Sequence, residues 1–242
     1  MYKKIIILSA LALLVACDKH DPILPGVRTP VFDTANIVVK NKTISNLPDT
    51  PYVHNNTKCA YTQDSQNVIW DGQRKVFSGF ATNNSVENHQ HPVCSGKYLY
   101  AGLTTGEVIK INPKSRQIMW IADVYRPSNL TGGASIVDIV APIVPYKNSV
   151  FAGGLGDAFC KINATSGVKT WCNNISTALP FVIAGEYAFV VSVDNFLYAI
   201  DTKSGDIYWR TAVDHQNAPN YQSGVINVGK QKINAADGKI IK

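Results

Sequence analysis

Short runs of β-branched and aromatic residues, each bounded by Gly, Asn or Asp, recur along most of the chain. In the clearest unit they follow Pro180 and predict strands at residues 187 to 191, 196 to 200 and 207 to 211. Between the last two, Asp201 can accept backbone N–H bonds and Gly205 can take a positive φ, which is the chemistry of a tight turn. The pattern predicts an antiparallel unit of four short strands.

This unit is repeated. Segments that begin at Gly96, Lys147 and Gly185 align without gaps over 25 residues. Each has Asn or Asp sixteen residues from its start, at Asn112, Asn163 and Asp201. Each has Trp eight residues later, at Trp120, Trp171 and Trp209. Two of the three keep Gly in the turn, at Gly167 and Gly205. A degenerate version precedes Trp70. We interpret these residues as blade-docking positions, where a large Trp fills the gap between neighbouring units.

A repeated four-stranded unit of about 40 residues predicts an all-β fold, a β-propeller. The chain holds about four blades and a fragment, 224 to 242, which reads as the second and third strands of a further blade with residues 236 to 239 at their turn. Three interpretations of this short ring stay open: a small propeller closed by the N-terminal strand, two chains that share one ring as a homodimer, and a shortened gene.

The N-terminus predicts export. Lys3 and Lys4 precede an apolar run from Ile5 to Ala16, which as a helix reaches only about 18 Å and is too short to span a bilayer. The run ends at Cys17 in a sequence that resembles the lipobox of bacterial lipoproteins, in which the cysteine is acylated. The alternative is an ordinary secretory signal with a chance cysteine. We therefore expect a signal peptide at 1–16, a lipid-anchored tether at 17–52 with one strand at 37 to 40, and propeller repeats at 53–242.

Composition narrows the function classes. The chain is 45% hydrophobic and 17% charged, which favours a folded globule. Its formal charge of +6 falls to +4 without Lys3 and Lys4, and its basic residues form no run longer than two, so we expect no nucleic-acid binding.

The stretch from Ala199 to Trp209 resembles the tryptophan-docking motif of propellers of the pyrroloquinoline quinone type. Together with the lipobox and residues 24 to 28, it makes residues 60 to 242 similar to the family of propeller lipoproteins of the outer-membrane barrel assembly machinery. That resemblance implies a non-enzymatic periplasmic scaffold that binds the insertase of outer-membrane β-barrels. It also implies an outer-membrane address, whereas Asp18 resembles the inner-membrane retention signal of enterobacteria. Propellers of this family have seven or eight blades.

Four cysteines remain after Cys17. The repeat register sets Cys160 and Cys172 opposite each other on two strands of one hairpin, within reach of a disulfide. Cys59 and Cys94 then pair by elimination. The alternative is four buried thiols.

Other chemistry is weakly indicated. His89, His91 and Cys94 could supply three metal ligands, but they lie in a polar loop, and we expect no metal. Glycines 153, 154 and 156 stand at a hairpin turn with no helix after them, so they do not predict a phosphate loop. We expect no cofactor. The alternative function is a quinoprotein-like dehydrogenase or small-ligand binder. It is disfavoured because quinoprotein enzymes with this blade motif commonly have two adjacent cysteines beside the quinone, and this chain has no adjacent pair.

Loop lengths point to a binding face. The proline that opens the next blade follows Trp70 by 22 residues and Trp120 by 22 residues, but follows Trp171 by only 9. We expect the two long loops, 71 to 91 and 121 to 141, to contact a protein partner. The named candidates are Arg126, Asn129 and Leu130.

Overall fold

The computed structural model describes residues 37–56, 59–82, 86, 91–125 and 136–241. Within them the chain forms nineteen strands and no helix. No helix in this part of the chain is long and apolar enough to cross a membrane. The strands, grouped by sheet, are β1 (Tyr61–Gln63), β2 (Val68–Asp71) and β3 (Arg74–Ser78); β4 (Val93–Ser95), β5 (Tyr98–Gly102), β6 (Glu107–Asn112) and β7 (Gln117–Asp123); β8 (Val144–Tyr146), β9 (Ser149–Gly153), β10 (Phe159–Asn163) and β11 (Lys169–Asn173); β12 (Val182–Ala184), β13 (Tyr187–Val191), β14 (Phe196–Asp201) and β15 (Ile207–Ala212); β16 (Asn220–Gln222), β17 (Val225–Val228), β18 (Gln231–Asn234) and β19 (Ile240–Ile241).

These strands form five antiparallel sheets, here called blades 1 to 5, in which each strand pairs with its neighbour in sequence. Blade 1 has three described strands and the others have four. The strands predicted at 187 to 191, 196 to 200 and 207 to 211 coincide with β13, β14 and β15 within one residue. The all-β, blade-repeat fold predicted from the sequence is confirmed.

Trp70 does not close a repeat. It lies in the middle strand of blade 1, where it pairs with Thr62 on one side and Lys75 on the other, and its indole N–H donates to the Asp64 carboxylate at 3.0 Å. The turn before β2 matches the turns before β6 and β14, since in each an N–H bonds the carbonyl three residues back. The prediction is therefore wrong: β1 to β3 correspond to the second to fourth strands of the other blades. The last strand of this blade, β3, holds no Trp.

The register predicted for the last blade is also wrong. The N–H of Gly238 bonds the carbonyl of Asn234 at 2.8 Å, as that of Gly205 bonds the carbonyl of Asp201 at 2.8 Å. Residues 236 to 239 thus belong to the turn between the third and fourth strands, and a first strand, β16, precedes them. The error arose because the turn keeps its Asn and Gly but has lost the Ser that identifies it elsewhere.

The hydrophobic core lies between blades. Each of four clusters of buried side chains is shared by two consecutive sheets, blades 1 and 2, 2 and 3, 3 and 4, and 4 and 5. Every blade is therefore stabilised by its neighbours, as expected of a repeat architecture.

Residues 37 to 52 do not form the free tether that the sequence predicts. Val39 forms a parallel bridge with Ile207 at the outer edge of blade 4, and Tyr52 forms an antiparallel bridge with Ile183. Between them, Ile44 is 4% exposed and packs into the cluster shared by blades 4 and 5. The predicted boundary at residue 52 therefore falls inside one compact unit, which spans residues 32 to 242.

Candidate functional site

The blades are joined by a Trp that contacts a Gly in the next blade. The indole N–H of Trp171 donates to the carbonyl of Thr202 at 3.3 Å, and the Trp120 and Trp209 indoles donate to equivalent carbonyls at 3.2 Å. A Cβ on Gly205 would lie 2.7 Å from the Trp171 ring, and Gly205 has a φ of +82°. The turn glycine is thus required by its own backbone and by the neighbouring Trp. Gly167 and Gly238 meet Trp120 and Trp209 in the same way.

The turn itself is held by the predicted Asn or Asp. The Asp201 carboxylate accepts N–H bonds from Lys203 at 2.7 Å and from Ser204 at 3.0 Å. Asn163 accepts the corresponding pair at 2.9 and 3.0 Å, and Asn112 accepts a longer pair at 3.2 and 3.5 Å. In blade 2 Arg116 replaces the turn glycine and keeps a φ of +57°. The last strand of the preceding blade, β3, holds no Trp that could pack against this position.

Two disulfides brace the structure. Cys160 and Cys172 pair across neighbouring strands of blade 3, and Cys59 is bonded to Cys94 in the first strand of blade 2. The second bridge fixes the segment before blade 1, where the Cys94 carbonyl also accepts a bond from His54 at 2.8 Å.

The Cys59–Cys94 bridge removes Cys94 from the predicted metal motif. His89 lies outside the described residues. Among residues 37–56, 59–82, 86, 91–125 and 136–241, no three His, Cys, Asp or Glu side chains form a cluster that could hold a metal ion.

One face of the propeller carries the long loops, and we call it the loop face. Its two elaborated segments connect blades 1 and 2 and blades 2 and 3, at residues 79 to 92 and 124 to 143. The corresponding connections in blades 3 and 4 span only residues 174 to 181 and 213 to 219. The sequence predicted two equally long loops; the first is shorter than expected because Trp70 is not in the last strand of its blade.

Glycines let the second long loop lie against blade 3. A Cβ on Gly154 would overlap the Asp138 carbonyl oxygen, and one on Gly156 would lie 2.5 Å from the Cβ of Tyr125. The Leu155 N–H donates to the Asp138 carbonyl at 2.9 Å. Gly154 and Gly156 therefore allow the second long loop to pack closely against blade 3, which agrees with the interpretation that this glycine motif is structural and not a phosphate loop.

Polar contacts hold the two loops to the face. The Asp138 side chain, 2% exposed, accepts the N–H of Val86 at 2.6 Å and so links the second loop to the first. Burial raises the pKa of the Asp138 carboxyl, although the Val86 hydrogen bond acts in the opposite direction. Thr82 and Thr104 share a hydrogen bond of 2.7 Å, and the Asn67 amide donates to Thr104 at 2.8 Å.

Apolar side chains project from this braced surface. Phe80 is 85% exposed, Val86 is 40% exposed and Ile136 is 44% exposed. Large exposed apolar groups held on a rigid scaffold are typical of protein-binding surfaces. The predicted contacts Arg126, Asn129 and Leu130 belong to the second loop but lie outside the described residues, as does Cys17. Phe80 was not among the residues predicted from the sequence, although its position two residues after β3, directly behind Gly79, was a usable signal.

The opposite face, with the turns between first and second and between third and fourth strands, is called the turn face. The N-terminal segment packs there: the Ile44 N–H donates to the Ala236 carbonyl at 2.8 Å, and the Ser223 N–H donates to the Asp49 carbonyl at 2.8 Å. Pro48 contacts the turn at Gly185. Residues 44 to 49 therefore lie on the turn face.

A cleft of about 440 Å³ lies at the outer side of blades 3 and 4. Residues 37, 38 and 40, the end of β11 and the turn before β15 line it. Its walls include both residues of the Lys40–Asp206 ion pair, which is 3.8 Å long.

Comparison with known proteins identifies a family whose sequence pattern this chain matches. The family model described as outer membrane protein assembly factor BamB matches residues 25–239. The chain is 20% identical over 117 residues to the outer membrane protein assembly factor BamB of Kangiella koreensis, in a region covering 48% of this chain and 30% of that protein. The match thus spans less than a third of the curated relative.

Solved structures show the same fold. BamB from Moraxella catarrhalis superposes with a TM-score of 0.58 at 13% identity, covering 74% of this chain and 61% of that one. The quinohemoprotein alcohol dehydrogenase ADHIIG from Pseudomonas putida HK5 superposes with a TM-score of 0.51 at 12% identity, covering 75% and 40%. The fold alone therefore does not separate scaffold from enzyme. The family match over nearly the whole chain does place the sequence: this chain belongs to the family of the outer membrane protein assembly factor BamB.

Proposed function

We propose that this protein is a non-enzymatic scaffold that binds the insertase of outer-membrane β-barrels through its loop face. The observation that carries the proposal is the exposed apolar set of Phe80, Val86 and Ile136 on loops that are braced to rigid blades. Family membership supplies the kind of partner, because the relatives are named as assembly factors for outer-membrane proteins.

The braced loops suit binding better than catalysis. A scaffold needs a surface whose shape is set before the partner arrives, since ordering loops on binding costs affinity. Hydrogen bonds at Thr82, Thr104 and Asp138 fix the first and second loops in advance. The alternative, a quinoprotein-like dehydrogenase, is supported only by shared fold, and the cysteines are paired as Cys59–Cys94 and Cys160–Cys172, without an adjacent pair.

The proposed location is the periplasmic face of the outer membrane, with Cys17 as the lipid attachment site. The two disulfides support an oxidising compartment. Acyl chains on Cys17 would supply the membrane affinity, at about 0.8 kcal/mol for each buried CH₂ group. The packing of the N-terminal segment on the turn face would leave the loop face free for the partner.

Binding to the purified periplasmic domains of the insertase tests the proposal. Phe80→Ser, and separately Arg126→Glu combined with Leu130→Ser, should each weaken binding at least about fivefold, because truncated anchors commonly cost more than about 1 kcal/mol. Lys203→Glu, an exposed change on the turn face, is the matched control and should leave affinity unchanged. Failure of the unaltered protein to bind, or equal loss with the control, would contradict the proposal.

A further inference from the structure

The outer edge of blade 4 is a filled strand-docking site. The N–H of Lys40 donates to the Ile207 carbonyl at 2.8 Å, and the N–H of Lys42 donates to the Tyr208 carbonyl at 3.0 Å. Val39 pairs with Ile207 in a parallel bridge, and Ile207 is 3% exposed. In this blade the two residues directly before the docking Trp thus form an edge that accepts an extended chain.

The same edge in blade 3 is polar. Its two positions before Trp171 are Lys169 and Thr170, and both are exposed. Charged and polar residues on an open edge are the usual protection against unwanted strand pairing. In blade 3, where no described strand pairs with this edge, the edge is thus polar.

Blade 2 follows the pattern of the covered edge but stands open. Its two positions before Trp120 are Ile118, 44% exposed, and Met119, 42% exposed, and Ile121 just beyond is 54% exposed. The strand that carries them, β7, is seven residues long. Among the described residues no strand pairs with its outer edge. An apolar, unprotected edge of this length is a template for strand addition.

We propose that the outer edge of β7 binds an extended, acidic and apolar segment of a partner protein, added parallel to β7 as residues 39 to 42 are added to β15. The inference depends on the proposed function only in requiring a protein partner. It names a different surface from the loop face.

Charge selects the occupant. In blade 4, Lys40 of the added segment pairs with Asp206, Nζ to Oδ1, at 3.8 Å. In blade 2 the position of Asp206 is Gln117, and it follows the exposed cations Lys114 and Arg116. The turn before β7 thus carries two positive charges, whereas Asp201, Lys203 and Asp206 give the turn before β15 a net charge of −1. A segment with a carboxylate where residues 39 to 42 have Lys40 fits this edge, and the Lys40 and Lys42 side chains of a second copy do not.

Peptide binding tests the inference without any insertase. The probes are a peptide of residues 37 to 43 with Lys40 and Lys42 replaced by Glu, and the unchanged peptide. Met119 is one of only two methionines in the chain, so a ¹³C-labelled methionine methyl reports on this edge directly. We expect the Glu peptide to shift the Met119 signal, with affinity at least about fivefold higher than that of the Lys peptide.

Matched variants separate the edge from the rest of the surface. Ile118→Asn removes the apolar side chain without adding charge and should weaken the Glu peptide at least tenfold while Met119 remains as reporter. Val168→Thr changes another exposed apolar residue, 65% exposed, and should have no effect. Lys114→Glu combined with Arg116→Asn should reverse the preference between the peptides, which a merely unfolded variant could not do.

Three results would overturn the inference: an unmoved Met119 signal at millimolar peptide, equal binding by Ile118→Asn, or a Met119 shift that depends on protein concentration alone, which would assign the edge to a second copy. Peptide binding without insertase binding would sink the proposed function and leave this inference standing. Insertase binding without peptide binding would overturn this inference and leave the proposed function standing.

Discussion

Single residues in this protein are coupled across blade boundaries. Gly205 is constrained by the Trp171 ring of the preceding blade, and Arg116 is tolerated at the equivalent position where that Trp is missing. A sequence read one repeat at a time shows a Trp and a Gly in each motif but does not reveal that the contact joins different repeats. Arg116 then looks like an anomaly, whereas the structure shows that the blade before it has no Trp in its last strand.

Gly205→Ala tests this coupling. A left-handed φ costs a non-Gly residue roughly 1–2 kcal/mol, and overlap with the Trp171 ring adds roughly 1–3 kcal/mol. Gly72 has a φ of +60° and no neighbour within 4 Å of an added Cβ, so Gly72→Ala carries the first cost alone. Urea unfolding should therefore show a larger loss of stability for Gly205→Ala than for Gly72→Ala. Equal losses would refute the inter-blade contact as the cause.

Asp138 makes stability depend on pH. Because burial raises its pKa in the folded state, the unfolded protein releases this proton at lower pH. The free energy of unfolding therefore decreases as pH rises from the ordinary carboxyl pKa through the raised one. Asn does not titrate, so the stability of Asp138→Asn relative to the unaltered protein should increase between pH 3 and pH 7. A stability difference that is constant across that range, measured by urea unfolding, would be incompatible with the raised pKa.

At the scale of elements, the turn chemistry was the most informative signal in the sequence. Strands β13, β14 and β15 were predicted within one residue because β-branched runs and an Asp-to-Gly turn agree there. The two misassigned sheets, blades 1 and 5, are those in which a marker is displaced or missing: Trp70 lies one strand early, and the turn at Asn234 lacks Ser.

The N-terminal segment could not be placed from its own sequence. It has little strand pattern, and its position is set by contacts with distant residues, such as the burial of Ile44 between blades 4 and 5. Local patterning does not encode such long-range packing.

Ile44→Ala tests whether this segment belongs to the fold. Removal of a buried Ile side chain costs roughly 2–5 kcal/mol, whereas a surface truncation stays within about 0.5 kcal/mol. Val38, 70% exposed in the same segment, supplies the control Val38→Ala. Chemical denaturation should show a marked loss for Ile44→Ala and almost none for Val38→Ala. A negligible effect of both changes would instead support the interpretation that this segment is a free tether.

At the scale of the whole molecule, the blade fold and its family were accessible from the repeat, because turns, strand periodicity and docking residues recur with it. The proposed binding face was only partly accessible from the sequence. Loop length indicated which face carries the long loops, but the exposure of Phe80 and the brace from Asp138 to Val86 depend on how two loops from different blades meet.

The most direct test of the central claim is site-specific photo-cross-linking in the native cell envelope. A photoreactive residue at position 80, on the loop face, should form an adduct with the barrel insertase, identified by mass spectrometry. The same group at position 203, on the turn face, is the control and should give none. Absence of the insertase from the position 80 adducts, or an equal yield from position 203, would contradict the account.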